Sequence, residues 1–304
     1  MENLEIHNCN KNRIETAIAL GNFDGVHLGH KKLIIKMIEA ANRSNLMPSI
    51  LLFDTHTKLT TVGKSPMFLT SKKHKEDIVT NLGVKTIYSI NFDENLMRLK
   101  PDEFVKYILV DMLNTKLVVV GFDYRFGYNA SGNVETLQEL GKKFGFKVIV
   151  IEPIYVDGIL VSSTKIRELI VEGNLELANK MLDRNFQIIG RVIPGNRVGR
   201  ALGFPTANLE LVDNYLIPKH GVYRTKTIIN NRTYLSATSI GYNPTFQSEK
   251  VKIECHIIDF NEEIYDQLIY IEFIEYLRSE LKFYNIDDLI CQIDNDIKTV
   301  ISRH

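Results

Sequence analysis

The stretch Gly21-Asn22-Phe23-Asp24-Gly25-Val26-His27-Leu28-Gly29-His30 decides the fold of this chain. It follows an apolar run over 16–20 that reads as a strand, and it leads into a helix-length amphipathic segment over 29–42. Glycines at such a turn let the backbone approach a ligand closely. The helix N-terminus presents unpaired N–H groups and partial positive charge to a phosphate. Two imidazoles, at His27 and His30, add hydrogen-bond donors, so the loop predicts a triphosphate site without a P-loop lysine. A lone histidine would more often be an ordinary core or surface residue. The His-x-Gly-His quartet in a strand–turn–helix setting is far more specific.

Working outward, apolar runs at 16–20, 49–53, 86–90, 117–120 and 147–151 alternate with helical patterns at 29–42, 71–82, 101–113 and 134–144. That alternation predicts a parallel sheet covered on both faces, with ligands beyond the carboxyl ends of the strands. Two shorter helices, 163–172 and 175–182, are expected to close this half. From Phe186 the texture changes to strand-like runs at 186–193, 221–229, 233–239, 251–259 and 267–274, which predict a compact antiparallel barrel. Ile286, Leu289, Ile290, Ile293, Ile297 and Val300 form one helical stripe, expected to pack on that barrel.

The 304 residues suffice for two domains. Lys plus Arg and Asp plus Glu both number 37, so zero formal net charge gives no sign of a nucleic-acid or anionic-membrane partner. No run approaches the length of a membrane span, and the polar start does not read as a signal peptide. Cys9, Cys255 and Cys291 are sparse and unclustered, which argues against a disulfide framework or zinc site and fits a reducing cytoplasm. The sequence leaves oligomerisation open.

Two more segments of the first half carry chemistry. Val119-Val120-Gly121-Phe122-Asp123-Tyr124-Arg125-Phe126-Gly127 ends a strand, and a buried turn would explain its valines but not Asp-x-Arg-x-Gly. Val161-Ser162-Ser163-Thr164-Lys165-Ile166-Arg167 opens a helix, where serine and threonine cap and also hold phosphate. With the opening loop, these segments resemble the nucleotidyltransferase superfamily, and in particular the prokaryotic bifunctional riboflavin kinase/FAD synthetase family. The resemblance implies a Rossmann-like sheet over 1–184 that adenylylates FMN to FAD and releases pyrophosphate. It implies ATP contacts from Gly21, Phe23, Asp24, Gly25, His27, His30, Ser163, Thr164 and Arg167, with His27 and His30 in catalytic roles. It implies flavin or nucleotide contacts from Asp123, Arg125, Phe126 and His56. Phe53-Asp54-Thr55-His56-Thr57 departs from the family's Asp-Pro-His-Pro, since threonines replace both prolines. Losing two backbone restraints bears on flavin affinity more than on the nucleotide chemistry.

The second half carries Gly190-Arg191-Val192-Ile193-Pro194-Gly195-Asn196-Arg197-Val198-Gly199-Arg200-Ala201-Leu202-Gly203-Phe204-Pro205-Thr206-Ala207-Asn208-Leu209. Its glycines free N–H groups for phosphates, and Thr206 and Asn208 offer oxygen ligands to a hard cation. A glycine loop alone has even odds of being a turn. Joined to Pro-Thr-Ala-Asn, it resembles the riboflavin kinase motif. The resemblance implies a riboflavin-kinase-like barrel with a C-terminal helix over 185–304, with kinase ATP contacts from Gly195, Gly199, Arg200, Gly203, Pro205, Thr206 and Asn208. Thr206 and Asn208 would hold Mg²⁺.

In Val251-Lys252-Ile253-Glu254-Cys255-His256-Ile257, alternation separates Lys252, Glu254 and His256 from the apolar positions. Glu254 matches the family's catalytic glutamate and is assigned as general base, while Lys252 and His256 read as surface residues and Cys255 as core. Gly241-Tyr242-Asn243-Pro244-Thr245-Phe246 resembles a loop beside the kinase site. Arg278 and Phe283 match a region near the family's flavin pocket. Substrates are therefore ATP, riboflavin and FMN. Two alternatives stay open, a riboflavin kinase with a weak or silent N-terminal domain and a non-catalytic flavin or nucleotide sensor. The retained Glu254 argues against the sensor, because binding alone needs no base.

Overall fold

The computed structural model describes residues 2–4, 14–53, 67–195, 198–242 and 251–303. By packing it divides into two units, Met1–Pro66 with Lys72–Ser162, and Met67–Ser71 with Ser163–His304.

In the first unit, strands β1 (Glu2–Leu4), β2 (Thr16–Leu20), β3 (Met47–Phe53), β4 (Thr86–Ile90), β5 (Thr115–Gly121) and β6 (Lys147–Ile151) form one sheet in the order β1-β4-β3-β2-β5-β6. Every pairing in it is parallel. Alternation along β2 shows why both faces are covered. Ala17 and Ala19 pack with Leu33, Ile34 and Met37 of the helix Leu28–Arg43. Ile18 and Leu20 point the other way, into a cluster with Val105, Ile108 and Leu137. The segment expected as an α-helix over 101–113 starts as one at Pro101–Phe104 and widens into a π-helix at Val105–Met112. Its buried residues Val105, Ile108, Leu109 and Met112 keep ordinary helical spacing, so periodicity does not reveal the widening. A small antiparallel hairpin, β7 (Tyr155–Val156) and β8 (Ile159–Leu160), follows the sheet.

β2 lies between β3 and β5, which makes the carboxyl ends of β2 and β5 the point where strand order reverses. A ligand crevice belongs there. The His27/His30 loop leaves one of these strands and the Asp123/Arg125 loop leaves the other.

In the second unit, β9 (Phe186–Ile193), β10 (Ala207–Leu211), β11 (Gly221–Ile229), β12 (Arg232–Tyr242), β13 (Val251–Ile257) and β14 (Leu268–Arg278) close a barrel in the order β10-β13-β12-β11-β14-β9. All its pairings are antiparallel. β10 was not among the expected strands, because it follows a glycine and proline block that reads as loop, yet it closes the ring between β9 and β13. Part of the interior is polar and satisfied. Thr225 Oγ1 lies 2.8 Å from Ser236 Oγ and 2.8 Å from Thr238 Oγ1. Thr227 Oγ1 donates to Ser236 Oγ at 2.8 Å and lies 3.2 Å from Cys255 Sγ. Cys255 is a core residue, and burial pushes its thiol pKa up.

The helices Ser163–Glu172 and Leu175–Leu182 group with the barrel rather than with the sheet. Asn179 explains part of this: its amide donates to Phe273 O at 2.9 Å, and its Oδ1 accepts from Phe186 N at 2.8 Å. Packing thus draws the division at Ser162/Ser163, earlier in the chain than the expected 184/185.

The terminal helix Ile286–Ser302 sits on the barrel, but its apolar stripe is covered unevenly. Val300 is fully buried while Ile286 is exposed. A side-chain pair anchors it: Arg278 Nη2 donates to Asp296 Oδ2 at 2.6 Å, and Nε to Oδ1 at 2.9 Å. Among the described residues no helix is long and apolar enough to cross a membrane.

Candidate functional site

After β2 the backbone enters a left-handed turn, with φ of 49° at Phe23, 82° at Gly25 and 38° at Val26. That conformation is costly for a β-branched valine, and such strain persists only where the surroundings over-determine it. Here they do, since Phe23 and Val26 are wholly buried in the sheet's core. The helix Leu28–Arg43 then begins, capped by His27, whose Nδ1 accepts from His30 N at 3.4 Å. The His27 and His30 rings stack with centroids 3.7 Å apart, and Phe23 tilts against His30 at 5.2 Å. The two histidines are therefore brought together and held by core packing.

Lys75, on the helix Lys72–Asn81, is a residue that sequence reasoning missed. Its Nζ donates to Asn22 O at 3.1 Å, inside the same loop. Burial pushes its pKa down, and the buried Asp24 carboxylate opposes that shift. No periodicity signals a lysine 53 residues away, so only the structure finds it.

The loop after β5 displays Asp123 and Arg125 to solvent and buries Phe126. Phe126 bridges to Gly132 and stacks on Tyr124 with centroids 5.7 Å apart. Burial pushes the Tyr124 phenol up. Phe126 thus shapes the loop from beneath, while Asp123 and Arg125 are its accessible polar groups. Ser163, Thr164 and Arg167 fall in the second unit, on the first turns of the helix Ser163–Glu172. Ser163 and Arg167 are half-buried, and Thr164 is exposed. His56 lies outside the described residues, as do Asn196, Arg197 and the segment 243–246.

In the barrel, Gly195, Gly199, Pro205, Thr206, Asn208 and Glu254 line a single cavity of about 250 Å³. Arg200 lines it too, with its guanidinium 3.8 Å from Glu263. Gly203, with φ of 89°, turns the chain out of the short helix Val198–Ala201. The convergence has a simple origin. Asn208 on β10 is in register with Glu254 on β13, and cross-strand partners share a face. Gly195 lets the Asn208 amide come close, because a Cβ there would lie 2.1 Å from Asn208 Nδ2 and push that side chain aside.

Lys252 and His256, read from sequence as surface residues, belong to this construction. Lys252 lines the cavity and its Nζ is 2.9 Å from Glu254 Oε1. His256 Nδ1 donates to Pro205 O at 2.8 Å, tying the glycine loop to β13. Alternation gives their face correctly, but not that this face is a cleft. Arg278, expected near the flavin, is engaged with Asp296, and its Nη1 donates to Ser279 O at 3.0 Å. Phe283 is half-buried, in a segment with the exposed Leu281 and Tyr284.

Comparisons with known proteins match the two halves of the chain to two family models. A family model described as FAD synthetase matches residues 9–165, and one described as riboflavin kinase matches residues 182–303. A bifunctional riboflavin kinase/FMN adenylyltransferase of Listeria monocytogenes is 38% identical over 286 residues, covering 93% of this chain and 90% of the relative. Its counterpart from Buchnera aphidicola is 36% identical over 300 residues, covering 97% and 96%. The chain belongs to the bifunctional riboflavin kinase/FMN adenylyltransferase family. A solved structure described as a macrolide-efflux protein from Streptococcus pneumoniae shares this fold. Its TM-score is 0.89 at 30% identity, and the match covers 95% of this chain and 94% of that one.

Proposed function

We infer that the chain makes FAD in two ATP-dependent steps, each on its own set of residues. The barrel cavity phosphorylates riboflavin to FMN, and the loops at the carboxyl ends of β2 and β5 adenylylate FMN. The observation that carries this reading is the convergence of the glycine loop, Thr206, Asn208 and Glu254 on one cavity.

In the kinase step a ribityl hydroxyl attacks the γ-phosphorus of ATP, ADP leaves, and Glu254 takes the hydroxyl proton. Such a base is typically worth about 10²–10⁴ in rate. The glycine loop offers N–H groups to the phosphates, with the Gly195 backbone packed against the Asn208 amide. Thr206 and Asn208 would hold Mg²⁺, because they offer hard neutral oxygens in the cavity that Glu254 also lines. When bound it supplies charge neutralisation on the ATP phosphates.

In the adenylyl step the FMN phosphate attacks the α-phosphorus of a second ATP, and pyrophosphate leaves. The attacking oxygen is ionised near neutral pH, so the residues must align reactants and stabilise charge rather than abstract a proton. His27 and His30 donate to the triphosphate at the helix N-terminus, where Gly21, Phe23, Asp24 and Gly25 shape the turn. Asp123 and Arg125 recognise flavin and nucleotide. Ser163, Thr164 and Arg167 serve the same transfer, so the functional division falls near 184/185 even though the helices that carry them pack with the barrel. Arg278 and Phe283 border the flavin of the kinase step, Arg278 by fixing the terminal helix through Asp296. The cytoplasm supplies the ATP and suits the free thiols Cys255 and Cys291.

The test is to separate the flavins formed from riboflavin, ATP and Mg²⁺, with a parallel reaction started from FMN. FAD from both starts is the expected result. FMN accumulating from riboflavin, with no FAD from supplied FMN, would mean a kinase with a silent N-terminal half. Bound flavin without turnover would mean a sensor.

A further inference from the structure

The face of β13 that carries Glu254 holds a cation that the chemistry above leaves unused. Lys252 and Glu254 are two residues apart on one strand, so both side chains leave the same face. The ammonium stands 2.9 Å from Glu254 Oε1, and both residues line the barrel cavity. Lys252 is in register with Gly241 on β12, and the Glu280 carboxylate occupies the space that a Gly241 side chain would fill. No side chain on β12 therefore competes with the ammonium at that position.

The side chains of Lys252 and Glu254 are 37% and 33% exposed. An ion pair that open to water contributes little to folding stability, so its significance is sought in the reaction. A half-exposed carboxylate on the outer face of a strand samples several rotamers, and a misplaced base is costly to rate.

We propose that Lys252 is a positioning residue of the kinase site, where its ammonium holds the Glu254 carboxylate in the cavity, aimed at the flavin hydroxyl whose proton it takes. The proposal rests on the reading of Glu254 as general base. It makes Lys252 act through Glu254 rather than on the nucleotide.

The experiment is steady-state kinetics of riboflavin phosphorylation by the full chain and its variants Lys252→Met, Lys252→Arg, Glu254→Gln and the Lys252→Met/Glu254→Gln double variant. Riboflavin binding and the barrel's melting transition serve as the folding control. Lys252→Met is expected to lower kcat about tenfold with both KM values nearly unchanged, the size expected for a misaimed base. Lys252→Arg should restore most of the rate. In the Glu254→Gln background, the Lys252 substitution should cost nothing further, because residues that act through one another are not additive. An unchanged kcat in Lys252→Met overturns the proposal. So does a raised KM for ATP at constant kcat, or an undiminished loss in the Gln background, since either makes Lys252 a nucleotide contact. Full activity of Glu254→Gln alone would instead overturn the general-base reading itself, and the two failures are told apart by that single variant.

Discussion

The loop after β2 and the loop before β10, the two proposed phosphate sites, are built in opposite ways. The first is held from inside: Phe23 and Val26 sit in the core at left-handed φ, and the His27 and His30 rings stack above them. The second is held from its flank. Gly195 gives way to the Asn208 amide, and Pro205 O is tied to His256 on a neighbouring strand. Core packing makes the first loop part of its unit's stability. Side-chain contacts to β10 and β13 leave the second adjustable, as the proposed binding of two substrates there would require.

That contrast can be broken in order of effect. Glu254→Gln should cut FMN formation by about 10²–10⁴ while leaving conversion of supplied FMN to FAD at the wild-type rate. Phe23→Ala should destabilise the sheet unit by about 3–5 kcal/mol, the cost of emptying a large core site, and abolish FAD formation while the barrel still makes FMN. Denaturant unfolding followed by both activities would show it. His27→Ala and His30→Ala should each slow FAD formation by about 10²–10³, since they remove charge-stabilising donors, and His27→Ala should also cost about 1 kcal/mol of stability as the helix loses its N-cap. Gly195→Ala should be mildest, raising the kinase KM for ATP about tenfold as Asn208 is pushed aside, with the melting transition intact. If Gly195→Ala unfolds the barrel, the distinction between the loops is lost.

The sequence made some of this legible for physical reasons. A turn that demands Gly25 and a helix start that demands polar groups leave few alternatives, so the first loop could be read directly. The two-residue period of β13 placed Glu254 and Cys255 on opposite faces, as observed. What stayed hidden depends on distant partners. Arg278 meets Asp296 across 18 residues, Lys75 reaches Asn22 across 53, and His256 reaches Pro205 across 51. A helical stripe predicted burial at Ile286, but the barrel covers the helix fully only toward Val300. β10 was hidden by the glycines and proline before it, because loop chemistry masks a short strand whose only signal is its place in the ring.

The most direct test of two independent sites is to mix two crippled chains. His30→Ala and Glu254→Gln are each incubated with riboflavin, ATP and Mg²⁺, separately and together, and the flavins are separated. The account predicts FMN without FAD from the first, almost no product from the second, and FAD from the mixture as FMN made by one chain is adenylylated by the other. No FAD from the mixture, with FMN accumulating beside the Glu254→Gln chain, would contradict it.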